Sequence, residues 1–110
     1  KQEHLDAVRR GMYLVTQPGG TAYRSFSNFN IKVAAKTGTA EANENTNAIF
    51  ASYAPFDNPE IAVIVVIENG YEGTFQGDLV REIYREYFNM ARQSITETTE
   101  AINEGEFIVN

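Results

Sequence analysis

Cysteine is absent from the 110 residues, so neither a disulfide framework nor thiolate chemistry is open to this chain, and an oxidising compartment is neither required nor excluded. Histidine occurs once. His4 has no second ligand within metal-binding spacing and reads as a solvated residue in a first helical turn. Basic residues are also scarce: nine stand against fifteen acidic ones, and the net charge of −6 argues against nucleic acid as a partner. Long apolar runs are missing, since the longest wholly apolar stretch, Ile61 to Ile67, is too short to cross a bilayer. The amino terminus carries no signal-peptide pattern, so a membrane anchor is expected upstream of residue 1. What remains is 43% apolar, enough for one compact unit that buries about two-thirds of its unfolded surface.

The apolar residues then place the elements. Leu5, Val8, Met12 and Val15 recur at helical spacing, with Glu3, Asp6, Arg9 and Arg10 largely off that stripe, which predicts an amphipathic helix over residues 3 to 17. Pro18-Gly19-Gly20 ends it, and this turn has neither the phosphate-loop pattern nor a dinucleotide fingerprint. From Ile31 the pattern becomes strand-like. The polar segment Asn43-Glu44-Asn45-Thr46 separates a first strand from a second at Asn47 to Ala54. The turn Pro55-Phe56-Asp57-Asn58-Pro59 leads to a third, from Glu60 or Ile61 to Glu68. Short connections favour antiparallel neighbours, and two largely apolar strands suggest a sheet covered on both faces, with helices on at least one.

Asn69-Gly70-Tyr71-Glu72-Gly73 breaks the last strand. Leu79, Val80, Ile83, Tyr84, Tyr87, Phe88 and Ala91 then predict a helix centred on residues 78 to 91. Its wide stripe suits packing across a sheet better than a coiled-coil seam. Asp78 and Arg92 complement the dipole of that helix. After Gln93 the chain turns Thr- and Glu-rich and reads as a frayed helical extension or a disordered tail, with Phe107-Ile108-Val109 able to dock as a short strand. The fold class is therefore α+β, a three-stranded antiparallel sheet packed against helices.

Lys36-Thr37-Gly38-Thr39, entered from Ile31-Lys32-Val33-Ala34-Ala35, is the most informative stretch. Lys36 adds a positive charge at the end of an apolar run, Gly38 lets another backbone approach, and the threonines offer hydroxyls and N–H groups to an anion. Those are the parts needed to hold a carboxylate and a developing oxyanion. No competing carboxylate pair stands at a defined spacing: Glu41, Glu44 and Glu60 are separated by loop-like sequence, and Glu68 reads as a solvated strand end. Tyr13, Tyr23 and Tyr53 have no adjacent base and read as packing residues.

In order and flanks these residues resemble the carboxy-terminal part of the penicillin-binding transpeptidases, in particular the class B enzymes of elongation or division. The likeness covers roughly residues 5 to 91. It is carried by Val8-Arg9-Arg10-Gly11-Met12, Gly20-Thr21-Ala22, Val33 through Glu41, Asn47-Ala48-Ile49-Phe50, Tyr53-Ala54-Pro55 and Ile61 through Gly70. Ile49 stands where that family often has a large aromatic, which leaves substrate preference open. Of the three motifs of the penicillin-interacting serine enzymes, only the K-T-G is present. None of Ser25, Ser27, Ser52 and Ser94 is followed by lysine three places on or by asparagine two places on, so the nucleophile is expected upstream.

The resemblance implies roles for the matching residues. Lys36 is expected to organise the proton network and local positive potential, and Thr37 and Thr39 to bind the carboxylate of a stem peptide or a β-lactam. The backbone N–H of Thr39 is expected to donate to the oxyanion, with Gly38 keeping that edge clear. It further implies a larger β-lactamase/transpeptidase-like fold of which residues 1–92 form the carboxy-terminal portion and residues 93–110 an acidic tail. The parent enzyme is expected in the bacterial cytoplasmic membrane, with this region outside the cytoplasm. Its partners are expected to be the upstream remainder of the domain, peptidoglycan stem peptides and β-lactams, and neither cofactor nor metal is expected. A noncatalytic peptide-binding module and a structural half-domain that completes a sheet with another polypeptide are the alternatives.

Overall fold

The computed structural model describes residues 1–42, 45–70 and 75–104. Helix α1 spans Gln2–Leu14, the short helix α2 Tyr23–Phe26, strands β1 Ala34–Ala42, β2 Asn45–Ala54 and β3 Ile61–Ile67, and helix α3 Phe75–Glu104. The three strands form one antiparallel sheet in the order β1-β2-β3. The expected architecture is thus present, with α2 as an addition that is too short to leave a periodic signal.

The turn after α1 is built on glycine. Val15, Thr16 and Gln17 bond back three residues, to Met12, Tyr13 and Leu14, so the α-helix tightens and ends before residue 17. Gly19 takes a left-handed φ of 90°, and Ala22 N–H donates to the Val15 carbonyl at 2.9 Å. The chain doubles back so closely that a Cβ on Gly20 would sit 2.2 Å from that same carbonyl oxygen. The Thr16 hydroxyl then donates to the Val33 carbonyl at 2.7 Å and ties the turn to the start of β1.

Register follows from the pairing of Ala34 with Tyr53 and Ala42 with Asn45, so Asn45 and Thr46, expected in a loop, belong to β2. Asn43 and Glu44 lie outside the described residues. Residues directly opposite share a face. Ala48, Phe50, Ser52 and Ala54 are all buried on one side of β2. On that side Phe26 of α2 stacks on Phe50 at 6.3 Å, and Val80 and Tyr84 of α3 are fully buried. Gly77 allows α3 to approach α2, since a Cβ there would stand 2.6 Å from Ser25 Oγ. The Tyr84 phenol meets Ser52 Oγ at 2.7 Å, and Ser52 in turn reaches the Val63 carbonyl at 3.1 Å.

The opposite face is only partly covered, which corrects the expectation of a sheet enclosed on both sides. Helix α1 holds one corner: Arg9 donates to the Tyr53 hydroxyl and the Phe56 carbonyl, both at 3.4 Å, and Tyr13 stacks on Phe56 at 4.7 Å. Beyond that corner Ile64 and Val66 of β3 remain 69% and 56% exposed. The stripe of α1 is open too, with Leu5 and Val8 58% and 61% exposed and no residue of the helix buried. Helices reach this face only near the start of β1, so β3 keeps its alternate side chains in water.

Helix α3 begins three residues before Asp78, which was expected near its start, and runs 30 residues, about 45 Å. It carries the chain past Gln93 as helix to Glu104; Phe107-Ile108-Val109 lie outside the described residues.

The Ser52–Tyr84 contact generates a prediction. Ser52→Ala leaves a fully buried phenol without its partner and should cost about 1–3 kcal/mol, whereas Tyr84→Phe, which leaves Ser52 its bond to Val63, should cost about 1 kcal/mol. Burial pushes the Tyr84 phenol above its ordinary value, with the bond to Ser52 acting in the opposite direction. A raised value in the folded state means that stability is complete while both states are neutral, below about pH 10. It is lost as pH rises through the folded value, because the unfolded chain ionises first. Urea midpoints measured between about pH 9 and 11 should therefore fall more steeply in the parent than in Tyr84→Phe.

Candidate functional site

β1 pairs with β2 alone, so it forms one margin of the sheet among the described residues. An edge strand turns half of its backbone N–H and C=O groups outward, where another chain or a ligand can take them. Lys36, Thr37, Gly38 and Thr39 occupy the middle of this strand, opposite Ala51, Phe50, Ile49 and Ala48 of β2. Lys36, Gly38 and Thr39 are exposed and Thr37 is half-buried.

Alternation divides the four. Thr37 and Thr39 stand on the face that carries Phe50 and Ala48, and Lys36 and Gly38 on the face of Ala51 and Ile49. The structure therefore does not gather the lysine and the threonines on one face; what they share is the open margin. The flexible stem of Lys36 narrows the gap, because Nζ donates to the Thr37 carbonyl and so lies along the backbone of the strand.

Gly38 sits in open space. A Cβ built there would have one neighbour within 4 Å, Ile49 Cβ at 3.8 Å, an ordinary van der Waals distance. Packing demands glycine at 20 and 77 but not at 38. Ile49, singled out in the sequence for its type, turns out to lie directly across from Gly38 and forms the floor beside it. That adjacency depends on the hairpin register, which a two-residue difference in loop length would shift, and no residue type in the sequence reports it.

The remaining candidates stand apart. Glu41 pairs with Thr46 further along β1, Glu68 and Glu60 are exposed at the two ends of the third strand, and Glu44 lies outside the described residues. His4 is exposed on α1, and among the described residues no three His, Cys, Asp or Glu side chains converge on a point that could hold a metal. Tyr53 accepts from Arg9 and Tyr13 stacks on Phe56, so both are packing residues, while Tyr23 is exposed.

The family model described as the penicillin binding protein transpeptidase domain matches residues 1–89. The peptidoglycan D,D-transpeptidase MrdA of Escherichia coli K12 is 36% identical over an alignment covering 73% of this chain and 15% of the relative. Its counterpart in Haemophilus influenzae is 35% identical over 76% of the chain and 16% of the relative. Among solved structures, the penicillin-binding protein PBP2 of Helicobacter pylori in complex with MreC superposes with a TM-score of 0.72. That match has 31% identity and covers 80% of this chain and 17% of the other. The chain thus spans about one-sixth of the length of these relatives.

The contrast between glycines is directly testable by unfolding. Gly38→Ala should leave stability unchanged or raise it by about 0.5–1 kcal/mol, the usual advantage of alanine over glycine inside a strand. Gly20→Ala should cost at least about 2 kcal/mol, because the Val15 carbonyl must move.

Proposed function

The chain belongs to the penicillin-binding protein transpeptidase family, and from that footing we propose that it supplies one wall of the active site of a peptidoglycan D,D-transpeptidase. The observation that carries the reading is the Lys36-Thr37-Gly38-Thr39 stretch on an open sheet margin, with Lys36, Gly38 and Thr39 exposed and a glycine at position 38 that packing does not require. In the proposed reaction a serine elsewhere in the polypeptide attacks the D-alanyl-D-alanine amide of a stem peptide and D-alanine leaves. An amine of a neighbouring stem peptide then takes the acyl group to form the crosslink. A β-lactam acylates the same serine.

Within that scheme Lys36 raises the local positive potential and orders the proton network beside the nucleophile. Thr37 and Thr39 donate hydroxyl hydrogen bonds to the substrate carboxylate, and the Thr39 N–H donates to the oxyanion of the tetrahedral intermediate. Gly38 leaves room for the substrate backbone against the strand, with Ile49 as the neighbouring apolar contact. No step calls on a metal or a cofactor.

The reading as a structural half-domain draws on a different observation and is compatible with the first. Leu5, Val8, Ile64 and Val66 are all more than half exposed, and full burial of such side chains is worth about 1.5–3 kcal/mol each. We take the remainder of the transpeptidase domain to cover them, with residues 1–92 forming the carboxy-terminal portion and residues 93–110 an acidic extension. No helix among the described residues is long and apolar enough to cross a membrane. An anchor in another part of the protein, with this region outside the cytoplasm, is the proposal that fits the family.

Two measurements test these assignments. The 110-residue chain alone, incubated with a reactive penicillin, should give no stoichiometric acyl adduct by mass spectrometry, because no serine in it has the activating lysine three places on. In the intact enzyme Lys36→Ala should slow penicillin acylation by about 10²-fold or more while leaving the unfolding curve in place. Thr39→Ala should act chiefly on carboxylate recognition, since its backbone N–H survives. Parental acylation by a folded Lys36→Ala enzyme would reject the role given to that lysine.

A further inference from the structure

On the helix-covered side of the sheet, away from the β1 margin, a groove of about 190 Å³ opens between the segment Asn28–Ile31 and one flank of α3. Its α3 wall is made by Arg81, Arg85 and Phe88, and its opposite wall by Asn28, Phe29 and Ile31. Two guanidinium groups one helical turn apart are unexpected in a chain of net charge −6. They lie outside the machinery proposed for acyl transfer.

Arg81 is held in place from two directions. One terminal nitrogen donates to the Ser25 carbonyl at 3.2 Å, and the guanidinium carbon lies 5.7 Å from the centre of the Phe29 ring. Neither contact uses Nε, which is buried with no hydrogen-bond partner among the described residues. A buried charged donor left unpaired is costly. Arg85 is engaged by Glu82 at 3.1 Å, but that pair is exposed and therefore weak, so Arg85 can turn toward a second anion at little cost. The residues lining the groove include two arginines, no carboxylate, and the asparagines Asn28, Asn30 and Asn89. Phe29, Ile31 and Phe88 give it an apolar flank.

We propose that this groove is an oxyanion-binding site, in which Arg81 is the fixed donor and Arg85 the mobile one, and whose ligand is a carboxylate or phosphate group carried on a short apolar stem. A planar guanidinium already oriented by stacking and by one carbonyl loses little entropy on binding an oxyanion. The anion can come from solution or from an acidic side chain elsewhere in the same polypeptide.

The test uses the intact protein at constant ionic strength, comparing the parent with Arg81→Gln and with Arg10→Gln, a control on exposed α1. Inorganic phosphate and acetate are titrated separately and the thermal midpoint is followed. For an anion from solution, one of the two should raise the midpoint saturably, by about 3 °C or more, in the parent and in Arg10→Gln but not in Arg81→Gln. For an internal acidic side chain, neither ion should act. Arg81→Gln should then melt several degrees below the parent, and the gap should narrow as salt is raised to about 1 M. A salt-independent gap without any ion effect would show that Arg81 only packs and bonds Ser25, and would overturn the proposal. An equal response of all three proteins to the ions would overturn it as well.

Discussion

The Ser52 hydroxyl, placed between the Tyr84 phenol and the Val63 carbonyl, is the contact on which the rest of the arrangement depends. It joins β2, β3 and α3 at one point in an otherwise apolar interior. Dispersion contacts would allow a helix to slide or rotate on a sheet of small alanines, because they carry little direction. A hydrogen bond of 2.7 Å between two buried side chains does not. With Tyr84 fixed there, Val80 one turn earlier falls into the core and Gly77 meets Ser25, so the depth and rotation of α3 follow from one polar pair. The same seating brings Arg81 within reach of the Ser25 carbonyl and the Phe29 ring.

From this seat the sheet acquires its asymmetry. On one face α2 and α3 cover the core around Phe50, Val80 and Tyr84; the other has α1 at a corner and open apolar side chains beyond it. Such a surface is larger in consequence than scattered exposed residues, because Ile64 and Val66 lie on one strand and repeat every second position. The β1 margin is at the opposite side of the sheet from β3, so covering the apolar face need not close the edge along which Lys36 to Thr39 are displayed.

Much of this was legible in the residues, for reasons that can be named. Val65 and its neighbours could only form a strand or a membrane piece, and seven residues decide for the strand; the stripe through Val80, Tyr84 and Phe88 has the period of a helix and nothing else. The expectations that needed correction concern what lies next to an element rather than its type. A stripe such as Leu5 and Val8 states that something apolar must cover it, but not whether the covering segment is within these residues. In the same way, the K-T-G stretch can be found from residue types, whereas the placement of Ile49 across from Gly38 is a property of the register. Helix α2 is too short to leave a period, and the Arg81 groove was illegible because it arises from close approach of segments 56 residues apart, Ser25 to Arg81, with no local pattern.

An edge strand answers a difficulty set by alternation. A substrate that must touch both a lysine and two threonines in consecutive positions cannot be bound on either face of a sheet, because successive side chains point to opposite sides. At a margin, however, side chains from both faces border the same line, and the outward backbone groups run along it. An extended peptide laid there receives main-chain donors, hydroxyls from one side and a cation from the other. This requires that the strand remain unpaired and that no side chain block the line of approach. Glycine at position 38 meets the second requirement, with only the Ile49 Cβ at 3.8 Å as a neighbour. The half-exposed apolar face bears on the first: apolar burial favours contact at Ile64, Val66, Leu5 and Val8 over contact at the polar β1 margin, so the covering segment proposed above would leave that margin unpaired.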